Sequence, residues 1–171
     1  MGASGVTERA AAGTAAAAAR APAKPATGGE KSRFRSAAEL RDVLDSLLRE
    51  VDADPDLGSR LRSAEVPHRI RCTDLDVVLD VAPSEDPDHY ISWAFDGNAD
   101  WEPALTLEMD SAAINRYLQG RLNLVIAIAR RQVGFSATDP RAALAFLPLG
   151  GSLCSAYRQV VKERFAHLTL A

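Results

Sequence analysis

The sequence predicts an α+β domain, one β-sheet under a layer of helices, preceded by a disordered tail. Three observations carry this. Residues 1–35 hold almost no side chains larger than Ala, residues 68–109 alternate apolar and polar, and the segments on either side of that stretch repeat at helical spacing. At 171 residues and 18.3 kDa the chain suits one domain that buries its own core without staples.

Twelve of the first 35 residues are Ala, and before Phe34 the only larger apolar side chains are Met1 and Val6. Gly2, Gly5, Gly13, Pro22, Pro25, Gly28 and Gly29 interrupt any helix. Ordering such a stretch costs more entropy than its burial returns, so 1–35 is expected to be a disordered Ala/Gly/Pro-rich tail and 36–171 the domain. The start lacks a basic leader region, and Val6 stands where a myristoylation motif needs Ser or Thr. The tail carries six basic and two acidic residues, so the net charge of −3 divides into +4 on the tail and −7 on the body.

In the body, Ser36 and Glu39 form a capping box that opens a helix with the stripe Leu40, Val43, Leu44, Leu47, Leu48 and Val51. Asp54-Pro55 opens a second helix, with Leu57 and Leu61 inward. Period two then takes over. His68, Ile70 and Cys72 make one strand, Leu75 to Val81 a second, Ile91, Trp93 and Phe95 a third, and Leu105, Leu107 and Met109 a fourth. Short links favour antiparallel pairing, and the alternating Arg and Asp imply one wet face. Asp110 or Ser111 caps a helix through Ile114, Tyr117 and Leu118 that ends at Gly120. Asn123 caps Leu124–Ala129, which is apolar all round and therefore expected at the centre of the sandwich. A strand from Gln132 to Ser136 follows, then a helix from Pro140 that Pro148 and Gly150-Gly151 break. A last helix runs from Ser152 to about Leu168, with Tyr157, Val160, Val161, Phe165 and Leu168 inward.

The charge balance excludes a typical nucleic-acid binder, and no apolar run is long enough to span a membrane. Contact with a membrane is expected to be peripheral at most, through the basic tail. Cys72 and Cys154 are too few for a disulfide scaffold and read as small buried residues in a reducing, cytoplasmic setting. His68, His89 and His167 lie on separate elements, so neither metal nor cofactor is expected, and His68 reads as a satisfied, partly buried side chain. Asp96, Asp100, Glu102, Glu108 and Asp110 form the densest acidic cluster, but turns and caps account for most of them. No catalytic residue is assigned. The unusual feature is apolar supply: residues 122–129 carry no charge, and the neighbouring helices add Ile114, Leu118, Leu144, Phe146, Leu147 and Leu149. Part of this surface suits a ligand cavity, because such sites are mostly apolar with few polar anchors.

Over residues 66–168 the chain resembles the sterol carrier protein 2 (SCP2) family of lipid-binding domains. The resemblance rests on the turn Asp100-Trp101-Glu102-Pro103, the strand Leu105-Thr106-Leu107-Glu108-Met109-Asp110 and the helix end Tyr117-Leu118-Gln119-Gly120-Arg121-Leu122-Asn123. Ala127-Ile128-Ala129, feeding a strand and then Asp139, continues it. It implies a five-stranded mixed sheet covered by helices, with an internal apolar tunnel for a lipid, fatty acyl chain, sterol-like, isoprenoid or polyketide molecule. Carried over by position, Ile114, Leu118, Leu122, Leu124 and Ile128 line that tunnel, and Leu144 and Leu147 close it. Tyr117, Trp93 or Arg121 holds a head group. The family often has Gly near position 131, where this chain has Arg130-Arg131. Heavy use of Ala, Arg and Asp resembles a high-GC bacterium, so a bacterial stand-alone member is expected. The partner expected is a hydrophobic small molecule, with a homodimer compatible. Two further readings use the same residues: a pocket enzyme of cyclase or isomerase type, and a structural or interaction module with a solid core.

Overall fold

The computed structural model describes residues 32–170, so the tail expected over 1–35 lies outside the described residues up to position 31. Helix α1 (Ala37–Ala53) starts as the capping box dictates, with Ser36 Oγ accepting from the Glu39 N–H at 3.1 Å. Glu39 reaches one residue further back than expected and accepts from the Arg35 N–H at 2.6 Å. All six apolar residues of its stripe are buried. Asp54 caps α2 (Pro55–Ala64), accepting from the N–H groups of Asp56 and Leu57.

Strands β1 (His68–Cys72), β2 (Val77–Pro83), β3 (Ile91–Phe95), β4 (Leu105–Met109) and β5 (Gly134–Ala137) form one sheet in the order β3-β2-β1-β4-β5. Pairs β1–β2, β2–β3 and β4–β5 are antiparallel, whereas β1–β4 is parallel, so the sheet is mixed. The all-antiparallel expectation fails at that one pair for a topological reason. With β3 on the far side of β2, two edges stay free, that of β3 and that of β1, and β4 joins β1. Residues 96–104 carry the chain back past the sheet, and it re-enters alongside β1 in the same direction. Register sets His68, Ile70 and Cys72 level with Leu105, Leu107 and Met109 on the face that the helices cover.

The opposite face is less wet than the alternation implies. Asp80 is wholly buried there, gripped by its cross-strand partner Arg69 through Nε at 2.6 Å and Nη2 at 3.1 Å. A two-point guanidinium–carboxylate bond satisfies the buried Asp80 carboxylate, while Arg69 keeps about a third of its side chain exposed.

Helix α3 (Ser111–Leu118) is capped by Asp110 and anchored by Asp74, whose two oxygens accept from the Ser111 N–H at 2.8 Å and Oγ at 2.7 Å. Six of its eight residues are buried, which makes α3 the central helix. Helix α4 (Leu124–Ala129) is not central, contrary to expectation. Only Leu124 and Ala127 are buried, while Val125 and Ile126 face solvent. A helix of six residues has fewer than two turns and buries one side only, the one that carries Leu124 and Ala127. Helix α5 (Pro140–Phe146) packs on β5 and α6. Helix α6 (Leu149–Arg164) takes Gly150 and Gly151 into its first turn instead of breaking there, because Leu147 and Pro148 already hold right-handed helical angles. A 3-10 turn, Ala166–Leu168, ends the layer.

One buried network closes this layer. The Asn115 side-chain amide donates to the carbonyls of Ser32 and Leu168, both at 2.9 Å, and its oxygen accepts from Tyr157 Oη at 2.9 Å and Gln119 Nε2 at 2.7 Å. Gln119 also donates to Leu168 O at 2.7 Å and accepts from the Leu170 N–H at 3.0 Å.

A second tie holds β3 to α1. Asp52 accepts from the N–H groups of Tyr90 and Ile91 and from His89 Nδ1 at 2.6 Å. Burial pulls the Asp52 carboxyl upward, but the hydrogen bonds from His89, Ile91 and Tyr90 outweigh it and leave it below its ordinary 3.8. The hydrogen bond to Asp52 and its charge raise His89 above 6.5. The raised His89 stabilises the fold fully below pH 6.5, and that contribution fades as pH rises through its folded value. The lowered Asp52 contributes above 3.8 and fades as pH falls through its own folded value. The stability gap between wild type and His89→Gln, measured by urea unfolding, is therefore expected to be widest between about pH 4 and pH 6.5 and to narrow above it.

Candidate functional site

Four of the nine candidate residues meet in the buried centre. Ile114, Tyr117 and Leu118 on α3 and Leu124 on α4 join one cluster with Leu105, Leu107 and Met109 of β4, Phe146 of α5 and Tyr157 of α6. Leu122 and Ile128 are partly buried against it. Trp93 lies across the sheet on the edge strand β3, where its Nε1–H donates to Asp45 Oδ1 at 3.0 Å and Arg49 sits 6.0 Å over the ring. That bond already occupies the Trp93 N–H, so a head group there would have to displace α1.

Leu144 and Leu147 stand outside the centre. Leu144 is 71% exposed and Leu147 37%, because Ala142 and Phe146 take the inward face of α5. Val125 (57%) and Ile126 (48%) on α4 and Phe135 (37%) on β5 are exposed as well. The lead into β5 is tied to α4 by the Gln132 and Val133 N–H groups, both donating to Ala127 O. The six-residue apolar run betrayed abundant apolar surface but not which way it faces.

Tyr117 is the unusual member of the centre. It is 93% buried and its hydroxyl has no hydrogen-bond partner among the described residues. Burial, with a contribution from Cys154, pushes its pKa up to about 12, so it stays a neutral donor. The hydroxyl lies against the backbone of Gly150, where any Cβ would collide with it. Its neighbour Tyr157, by contrast, is satisfied by Asn115.

The remaining polar candidates are structural. His68 is buried, with Nδ1 2.9 Å from Val66 O and its ring edge-on to Phe146 at 4.8 Å. Burial drives its pKa below 6.5 and keeps it neutral. The Cys72 thiol is pushed up to about 12 by burial and by its hydrogen bond to Asp74, too high for a nucleophile at neutral pH. Cys154 is buried and likewise raised. The acidic cluster disperses: Asp110 caps α3, Asp96 pairs with Arg41 at 3.0 Å, and Glu108 lies 3.9 Å from Arg71. Among the described residues no three His, Cys, Asp or Glu side chains converge as metal ligands. None of their helices is long and apolar enough to cross a membrane.

Cavities shaped by the described residues include three. One of ≈370 Å³ lies between α1–α2 and α6, lined by Glu50, Leu57, Val160 and Glu163 among others. One of ≈200 Å³ is lined by Arg121, Arg158 and Lys162, and one of ≈430 Å³ by Arg41, Arg69 and Asp96. None of the nine candidate residues lines any of the three, Arg121 being a tenth, polar candidate.

Comparison with known proteins fits this architecture. The solution structure of the sterol carrier protein domain 2 of Helicoverpa armigera superposes with a TM-score of 0.51 at 10% identity, over 77% of this chain and 96% of that one. A ubiquinone synthesis protein, UbiJ-SCP2, gives 0.49 at 16% identity over 70% and 95%. The stereoselective inverting sec-alkylsulfatase of a Pseudomonas species gives 0.44 at 13% identity over 54% of this chain, which matches only 14% of that enzyme's length. No family model matches the sequence, and no curated protein matches it. The fold is SCP2-like: a five-stranded mixed sheet with helices packed over one face.

Removing an unpaired buried hydroxyl relieves its desolvation cost. Tyr117→Phe is therefore expected to stabilise the ligand-free protein by about 1–2 kcal/mol in urea unfolding. A loss of stability instead would mean that the hydroxyl has a partner.

Proposed function

We propose that the domain binds and carries a hydrophobic small molecule of lipid type, held between α3, α4 and the sheet. The observation that carries the reading is the Tyr117 hydroxyl, a donor without a partner among the described residues, lying against Gly150 in the apolar cluster that also holds Ile114, Leu118, Leu124 and Phe146 of an SCP2-like fold. Apolar walls with one polar anchor match what an amphipathic guest requires. The nine candidates divide in role. Ile114, Leu118, Leu122, Leu124 and Ile128 contact the chain of the guest, Tyr117 donates to its polar end, and Leu144 and Leu147 flank the entrance. Trp93 stays with α1.

In the ligand-free form the centre is packed, so entry requires α4 and α5 to swing outward. Both are short, and Leu124, Ala127, Ala142 and Phe146 are their buried residues. Burying about 14 methylenes yields a gross ~11 kcal/mol at ~0.8 per CH₂. Lost translational freedom and chain ordering take back several kcal/mol, which still leaves micromolar binding within reach. No chemical step is needed for this role, and a cytoplasmic carrier fits it.

The test is to denature freshly purified protein, extract it with organic solvent, and analyse the extract by mass spectrometry beside a control protein. A stoichiometric hydrophobic compound is expected. An empty extract, together with no uptake of a fluorescent fatty acid or sterol, would contradict the carrier and favour a solid interaction module.

A further inference from the structure

The cavity of ≈200 Å³ beside α6 brings Arg121, Arg158 and Lys162 together, and no acidic side chain lines it. None of these three cations enters an ion pair among the described residues, although residues 36–171 carry −7 overall. Backbone geometry places them. Gly120, at φ +75°, ends α3 in a left-handed turn that lets the Arg121 N–H donate back to Arg116 O at 2.7 Å. A Cβ on Gly120 would lie 3.4 Å from Cys154 Sγ, so this turn packs directly on α6. From α6, Arg158 Nε donates to Cys154 O at 3.2 Å, which leaves its terminal nitrogens for a ligand. Lys162 follows four residues later, on the same side of the helix. Gln119 accepts from the Leu170 N–H and donates to Leu168 O, which ties the segment holding Thr169 to the same cavity.

We infer that this cavity binds the phosphate group of a small phosphorylated molecule, with Arg121, Arg158 and Lys162 as charged donors and the Thr169 hydroxyl beside them. Charge decides the class. Cations gathered four residues apart on a helix and across a turn repel one another, and a bound anion relieves that repulsion. A carboxylate sets one negative charge against three positive ones. A phosphate monoester brings nearly two, on three acceptor oxygens. The planar fork of an arginine meets two such oxygens at once, and a lysine adds a point charge. The volume is several times the roughly 30 Å³ that a water takes in the liquid, so a phosphate group has room. This site is separate from the carrier centre, because Ile114, Leu118 and Leu124 do not line it. The two readings therefore stand or fall independently.

Isothermal titration calorimetry of the full chain in phosphate-free buffer tests the inference. Inorganic phosphate and glycerol 3-phosphate are each expected to bind in a single saturable step, with a Kd of about 1 mM or tighter. Acetate at the same ionic strength is expected to give no saturable heat. Arg121→Gln, Arg158→Gln and Lys162→Gln are each expected to weaken both phosphates by about tenfold or more. Arg60→Gln, at an exposed position of α2 outside the cavity, should leave binding unchanged. The three substituted cations are exposed, so the circular dichroism of the variants should match the wild type. Absence of phosphate binding, equal binding of acetate, or undiminished binding in the three variants would overturn the inference. So would binding to phosphatidylcholine vesicles that contain phosphatidic acid without any binding of glycerol 3-phosphate, which would give the cations to a membrane surface.

Discussion

The helical layer depends on a single buried amide. Asn115 sits on the central helix α3, is 1% exposed, and satisfies all of its hydrogen-bonding capacity with protein groups. Through it α3 is joined to α6 at Tyr157, to the turn that follows α6 at Leu168, and to the segment that leads into α1 at Ser32. A buried network of this kind favours one arrangement because every alternative leaves polar atoms unpaired. The consequence for the site is rigidity on one side. Tyr117 and Leu118 lie within one turn of Asn115 and so inherit fixed positions, whereas α4 and α5, outside the network, do not.

Much of the fold was legible because local chemistry dictates it. Caps at Ser36, Asp54, Asp110, Asn123 and Asp139 all act as caps, and the apolar stripe of α1 is buried throughout. Strand alternation located β1 to β4. What local pattern cannot encode is which of the two free edges, that of β1 or that of β3, β4 joins, and the parallel β1–β4 pair came from that. The burial of α4 was misjudged for a related reason. Six apolar residues state how much surface wants cover, and only the tertiary arrangement says that β5 is an edge. The central position belongs to α3, whose uncharged pair Asn115 and Gln119, four residues apart beside Ile114 and Leu118, was a readable sign of a buried polar face.

The candidate site divides along the same line. Ile114, Leu118 and Leu124 converge because helical periodicity on α3 and the cap at Asn123 leave their side chains few other directions. The resemblance implies that Leu144 and Leu147 close the tunnel; Phe146 and Ala142 hold the inward face of α5 and leave both leucines exposed. Trp93 follows β3 to the far edge. The apolar candidates thus divide into buried ones, in the cluster that holds the Tyr117 hydroxyl, and exposed ones on α4 and α5.

The most direct test of the central claim is to find out which surface a lipid meets. Ile, Leu and Val methyl groups are observed by NMR while a doxyl-labelled stearic acid is titrated into the protein. The account predicts paramagnetic broadening of the methyls of Ile114, Leu118 and Leu124 at stoichiometric ligand. Broadening confined to Val125, Ile126 and Leu144, with the inner methyls untouched, would contradict an internal site.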